Sequence, residues 1–147
     1  MFKVGIITSS DKGSKGERKD LSGKIIYDMV TAKGYEVVRQ VILPDEEKEL
    51  IKEMIYMADE LKVDLILTTG GTGFSKRDIT PEASTKVFTR IANGIAEAIR
   101  YNSLSITPRA MLSRAVSGIR NDTLIVNMPG SPKAVKESLE YALDSIH

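Results

Sequence analysis

The chain has 147 residues, with 21 Lys+Arg against 20 Asp+Glu, 41% hydrophobic and 28% charged residues, and no cysteine. That length predicts one domain, residues 1–147, with a core of its own, and a formal net charge of +1 gives no global electrostatic basis for binding nucleic acid. The lack of cysteine excludes disulfides, thiolate metal sites and a cysteine nucleophile, and the single histidine, His147, is the last residue, a poor place for imidazole catalysis. An enzyme with this composition works with carboxylates, hydroxyls, Lys/Arg, backbone amides and hard metal ions, which leaves phosphate chemistry open. No apolar run is long enough to span a membrane, and no signal peptide is visible, so the expected compartment is the cytoplasm.

Residues 2–8 read as a buried first strand, rich in β-branched residues. A polar stretch, residues 9–20, follows, with Gly13 and Gly16 as breakers. Leu21, Ile25, Ile26, Met29 and Val30 recur at helical spacing over residues 21–33, and Gly34 is a helix stop. A second strand covers residues 35–43. Pro44-Asp45 turns into a helix over residues 46–61 with a stripe of Leu50, Ile51, Met54, Ile55, Ala58 and Leu61.

Residues 63–69 form a third strand, followed by a glycine-rich loop, residues 70–79. Thr80-Pro81 starts a helix expected to reach Asn93, restart after Gly94 and end near Leu104. Residues 106–114 fit a loop or a short helix. Residues 115–120 and 123–128 fit two strands joined at Asn121-Asp122, and a helix over residues 133–146 closes the chain. Strands alternating with helices predict a three-layer α/β/α fold with a mostly parallel sheet. In such sheets ligands bind beyond the carboxyl ends of the strands, so the segments 9–20, 44–45, 70–78 and 129–132 are expected to meet on one edge.

Gly70-Gly71-Thr72-Gly73 follows an apolar strand directly, where backbone amides can approach an anion. It matches neither the Walker nor the Rossmann pattern, so spacing alone leaves a phosphate site and a plain tight turn both open. Asp45 and Asp78 leave different strands on the same predicted edge, an arrangement able to share Mg2+ with substrate phosphates. Asp45 is equally well placed as a helix N-cap and Asp78 as a solvated loop acid. The first loop carries Lys12, Lys15, Arg18, Lys19 and Lys24 against Glu17 and Asp20, which suits either an anion-receiving loop or a solvated one. Ser103, Ser113 and Asn127 carry no signal individually.

Five collinear stretches carry more. They are Thr8-Ser9-Ser10-Asp11, Leu43-Pro44-Asp45-Glu46, the run from Leu67 to Ala83, Ile106-Thr107-Pro108-Arg109-Ala110-Met111-Leu112-Ser113-Arg114, and Asn127-Met128-Pro129-Gly130-Ser131-Pro132-Lys133-Ala134. Together they resemble the molybdopterin-binding family that includes the MogA-like molybdopterin adenylyltransferases and the matching domain of gephyrin. The resemblance implies transfer of AMP from Mg-ATP to the terminal phosphate of molybdopterin, releasing pyrophosphate. By motif position it implies that Asp45 and Asp78 are the catalytic acids and hold Mg2+. It assigns Thr72, Ser103, Ser113 and Asn127 to molybdopterin, and Ser10, Gly70, Gly71, Gly73, Gly130 and Ser131 to the nucleotide and its phosphates.

The family also implies a homotrimer and an exchange of product with the molybdenum-insertion enzyme, and no nucleic-acid or membrane partner is expected. A non-catalytic MoaB-like molybdopterin-binding or scaffold protein of the same fold is the alternative; the presence of both acids favours the active type. The family's usual Pro-Gly-Phe-Gly-Glu segment reads Asn93-Gly94-Ile95-Ala96-Glu97 here. The chain also ends soon after its last helix, so subunit contacts made by a longer extension are expected to be missing.

Overall fold

A computed structural model describes residues 1–146; the expectation for His147 lies outside the described residues. Six strands form one sheet: β1 (Lys3–Ser9), β2 (Glu36–Leu43), β3 (Leu65–Thr69), β4 (Arg90–Ile91), β5 (Ser117–Arg120) and β6 (Thr123–Met128). Their order is β2-β1-β3-β6-β5-β4. The pairs β1–β2, β1–β3 and β3–β6 are parallel, whereas β5 runs antiparallel to both neighbours. The mostly parallel sheet is as the alternation of apolar runs and helical stripes predicts.

Strand period 2 sends successive side chains to opposite faces, and both faces are covered. Val4, Ile6, Leu65, Leu67, Val126 and Met128 face α2 (Leu21–Ala32), α5 (Gly94–Leu104) and α6 (Pro132–Ile146), where Ile26, Val30, Ile99, Val135 and Leu139 complete a buried cluster. Ile7, Ile66 and Ile125 face α3 (Glu47–Ile55) and α4 (Thr80–Val87), meeting Leu50, Met54, Ala83 and Val87. Each fully buried aliphatic side chain of this kind contributes about 1.5–3 kcal/mol of transfer free energy. The sandwich of helices, sheet and helices is the expected three-layer fold.

Three elements differ from the sequence reading. The helix begun at Thr80 ends at Val87 rather than near Asn93. Phe88 turns extended, and its ring lies where a Cβ on Gly118 would come within 2.4 Å of it. Thr89 N–H then donates to Ile119 O (2.8 Å) and Ala92 N–H to Ser117 O (3.1 Å), so residues 89–92 join the sheet edge instead of continuing the helix. Helix α3 is α-helical only to Ile55 and widens into a π-helical turn, Tyr56–Glu60. The polar stretch after β1 contains a short helix, α1 (Asp11–Ser14), capped by Ser10. The ambiguous segment is a 3-10 helix, Pro108–Leu112, capped by Thr107.

The chain goes from β1 through α2 to β2 on one side of β1, then through α3 to β3 on its other side. The direction of winding therefore reverses between β1 and β3, the place where open α/β sheets form a ligand crevice.

Candidate functional site

A cleft of about 520 Å3 opens at that reversal. Its walls come from the ends of four strands: Thr8, Ser9 and Ser10 after β1, Asp45 after β2, Thr69, Gly70, Gly71 and Asp78 after β3, and Gly130, Ser131 and Pro132 after β6. All four expected segments thus meet on one edge. The structure brings together Asp45, Asp78, Ser10, Gly70, Gly71, Gly130 and Ser131. Gly73 lies just outside; its main-chain oxygen is held by Arg114, and a Cβ on it would meet the Asp78 carboxylate at 2.8 Å.

The backbone shape of the glycine loop explains its residue types. Gly70 and Gly71 have φ of +91° and +71°, the left-handed region where a side chain is strained. A Cβ on Gly70 would also lie 2.5 Å from the Ser9 main-chain oxygen, so the loop can lie against the end of β1 only without one. The segment after β6 is pinned from both sides. Thr69 Oγ1 donates to Pro129 O at 2.6 Å, and Ser22 Oγ donates to Gly130 O at 2.7 Å.

Two long helices begin at the cleft. Asp20 caps α2 by accepting from Gly23 N–H (2.9 Å), and Ser131 caps α6 by accepting from Ala134 N–H (3.2 Å). Their positive dipole ends, together with Arg18 and Lys19 on the cleft wall, give the cleft a bias toward anions. Of the first-loop cations Lys24 is turned away into a pair with Asp28.

Asp45 does not cap α3: Glu46 occupies that position and makes no side-chain cap bond. The Asp45 carboxylate instead accepts from Ser9 Oγ at 2.5 Å and from Asp11 N–H at 3.2 Å. Asp78 accepts from Ser75 N–H at 3.0 Å, which closes the tip of its loop. Arg114 fixes the rest of that loop by donating to Gly73 O (2.8 Å), Asp78 O (2.6 Å) and Glu82 (2.6 Å), while its own amide donates to Thr72 O (2.8 Å). The Arg114 guanidinium holds the Glu82 carboxyl below the usual range. Arg77 grips the carboxylate of Asp11 with two nitrogens (3.0 and 2.8 Å) and, with the Asp45 amide adding to the effect, lowers its pKa to about 2.

Mg2+ takes one or two protein carboxylates and completes its shell with waters and substrate phosphates. Asp45 and Asp78, two oxygen-donor acids on one anion-attracting cleft, fit that requirement. No group of three or more His, Cys, Asp or Glu able to hold a metal occurs among the described residues, so a cation held by these two acids would be shared with the ligand.

A second pocket, about 200 Å3, contains Ser103, Ser113 and Asn127 among Ala96, Ile99, Ala110, Ala115 and Pro129. It brings three of the four residues assigned to molybdopterin together. Asn127 is almost fully buried and its amide is occupied: Nδ2 donates to Thr68 Oγ1 and Ser84 Oγ, both at 3.0 Å, and Oδ1 accepts from Val116 N–H at 3.1 Å. Thr72 lines neither cavity, although its loop borders the first. The two pockets share one connection, since Asn127 and Pro129 wall the second while Gly130 and Ser131 wall the first. Thr8, Ser9, Asp20, Ser22 and Thr69 belong to the cleft or its support without having stood out in the sequence. Their only signal is position at strand ends, which is legible once strand order is known.

The chain matches the family described as "Probable molybdopterin binding domain" over residues 5–147. It is 43% identical to the molybdopterin adenylyltransferase of Helicobacter pylori (strain J99), covering 97% of this chain and 82% of that protein. Gephyrin of Dictyostelium discoideum is 42% identical over 97% of this chain, which spans 21% of that much longer protein. Among solved structures, the molybdopterin biosynthesis enzyme MoaB of Thermus thermophilus superposes with a TM-score of 0.92 at 46% identity, covering 98% of this chain and 91% of that one. No helix among the described residues is long and apolar enough to cross a membrane.

Proposed function

The chain belongs to this molybdopterin-binding family, and from that premise we propose that it is a molybdopterin adenylyltransferase of molybdenum cofactor biosynthesis. It moves AMP from ATP to the terminal phosphate of molybdopterin and releases pyrophosphate. One observation carries the reading: the two acids, the glycine loop and the Gly130-Ser131 segment wall one cleft, joined through a shared strand end to a pocket holding Ser103, Ser113 and Asn127.

In the reaction a phosphate oxygen of molybdopterin forms a bond to the α-phosphorus of ATP while the bond from that phosphorus to the pyrophosphate oxygen breaks. Both nucleophile and leaving group come from the substrates, so the protein supplies alignment and charge stabilisation. Ser10, Gly70, Gly71, Gly73, Gly130 and Ser131 orient the nucleotide and its phosphates. Arg18 and Lys19 offset the charge of two anions brought together. Thr72, Ser103 and Ser113 hold molybdopterin, and Asn127, with its amide already engaged, keeps the wall of that pocket in shape. Asp45 and Asp78 would hold Mg2+, which supplies neutralisation of the departing pyrophosphate. Replacing Asp78 by Asn tests the assignment: pyrophosphate release is expected to stop while molybdopterin still binds, and full turnover by that variant would overturn it.

The protein works in this reading as a cytoplasmic homotrimer that passes adenylylated molybdopterin to the molybdenum-insertion enzyme. The trimer is supported by Tyr101 and Leu104 on α5 and Met111 and Leu112 on the adjacent 3-10 helix, apolar side chains left exposed in a single copy. Sedimentation at micromolar concentration is expected to give a trimer; a monomer contradicts it.

A further inference from the structure

Asp45 and Asp78 leave β2 and β3, which are not neighbours in the sheet, because β1 runs between them. No strand-to-strand hydrogen bond therefore sets one acid against the other. The connection is made by Asp11, which follows β1. Its main chain and carboxylate both bond to Asp45: Asp11 N–H donates to the Asp45 carboxylate (3.2 Å), and the Asp11 carboxylate accepts from Asp45 N–H (2.9 Å). The same carboxylate accepts both bonds from Arg77, the residue preceding Asp78. The loop that bears Asp78 is thereby tied, through one carboxylate, to the segment that bears Asp45.

Neither Asp11 nor Arg77 lines the cleft, so the pair stands behind the acids and does not reach the ligand. The Arg77 side chain is 55% exposed and that of Asp11 34%. An ion pair so open to water adds little to global stability, but its forked geometry restricts direction and distance. Its mechanical effect is local.

We propose that Asp11 and Arg77 are a positioning pair that fixes the spacing of Asp45 and Asp78, so that both carboxylates reach one divalent cation bound together with nucleotide phosphates. The proposal rests on the adenylyltransferase reading for its choice of nucleotide and cation.

The test is Mn2+ binding to the full-length protein in the presence of ATP, followed by electron paramagnetic resonance and so independent of turnover. Arg77→Gln and Asp11→Asn are each expected to weaken Mn2+ binding by the protein–ATP complex by about 10-fold or more, the usual scale for groups that orient metal ligands. The double variant is expected to be no weaker than the weaker single one, because both remove the same link. Arg77→Lys keeps the charge but not the fork and is expected to remain impaired. The melting temperature of each variant is expected to stay within about 4 °C of the parent protein, as befits a small loss of stability in a chain this size. Parent-like Mn2+ binding in Arg77→Gln and Asp11→Asn, additive losses in the double variant, or a parent complex that binds no Mn2+ beyond that held by ATP alone would each overturn the proposal. A parent protein that binds Mn2+ and ATP as expected but never adenylylates molybdopterin removes the reaction assigned above, and the variants still decide the positioning role.

Discussion

Arg114 donates from its guanidinium to the main-chain oxygen of Asp78 at 2.6 Å. The same side chain holds Gly73 O and Glu82, so three points along residues 73–82 are fixed by one cation. Lysine offers a point charge in place of this planar fork. Arg114→Lys is therefore expected to lower turnover at least about 10-fold while costing only about 1–2 kcal/mol of stability, the scale of one or two hydrogen bonds to a charged group. Steady-state rates with urea denaturation check both halves.

Gly70 has no room for a side chain: its φ is +91°, and a Cβ there would stand 2.5 Å from the Ser9 main-chain oxygen. Gly70→Ala is expected to lose about 1–3 kcal/mol and to weaken ATP binding. Gly16 also has positive φ, but open space around it, so Gly16→Ala is expected to cost no more than about 1 kcal/mol and to leave ATP binding unchanged. Denaturation and calorimetric titration of the two variants separate strain from steric collision.

Asn127 and Ser103 wall one pocket yet should respond differently. Asn127→Ala removes the partners of Val116 N–H, Thr68 and Ser84 at a buried position, at an expected cost of about 2–4 kcal/mol. Ser103→Ala is expected to stay within about 0.5 kcal/mol of the parent and to weaken molybdopterin binding. Equal stability losses in the two variants would contradict this division.

Arg77 holds the Asp11 carboxyl at about 2, against an ordinary value of 3.8. A carboxyl lowered on folding contributes stability above its unfolded pKa and loses it as the pH falls through the folded one. The stability difference between the parent and Asp11→Asn is thus expected to be constant from about pH 8 to about pH 5 and to close between about pH 4 and pH 2. A difference that widens on acidification contradicts the linkage.

Much of the fold was legible because apolar runs such as residues 63–69 and stripes such as Leu50, Met54 and Ala58 leave little choice of period. The end of α4 was not. Residues 88–92 carry no helix-breaking residue, and their direction is decided by Phe88 packing on Gly118 from a distant strand. The acids, glycines and Ser131 were legible through ordered motifs. The hydrogen-bond partners were not: that Asp11 joins Arg77 to Asp45, or that Asn127 spends its amide on Thr68 and Ser84, depends on strand order, which local pattern does not encode.

The central claim is adenylyl transfer by this chain. The most direct measurement incubates the protein with molybdopterin, ATP and Mg2+ and follows adenylylated pterin and pyrophosphate together. Equal amounts of the two products, both dependent on Mg2+ and both lost in Asp45→Asn and Asp78→Asn, are the predicted result. Molybdopterin binding without release of pyrophosphate would contradict it and leave a carrier of the same fold.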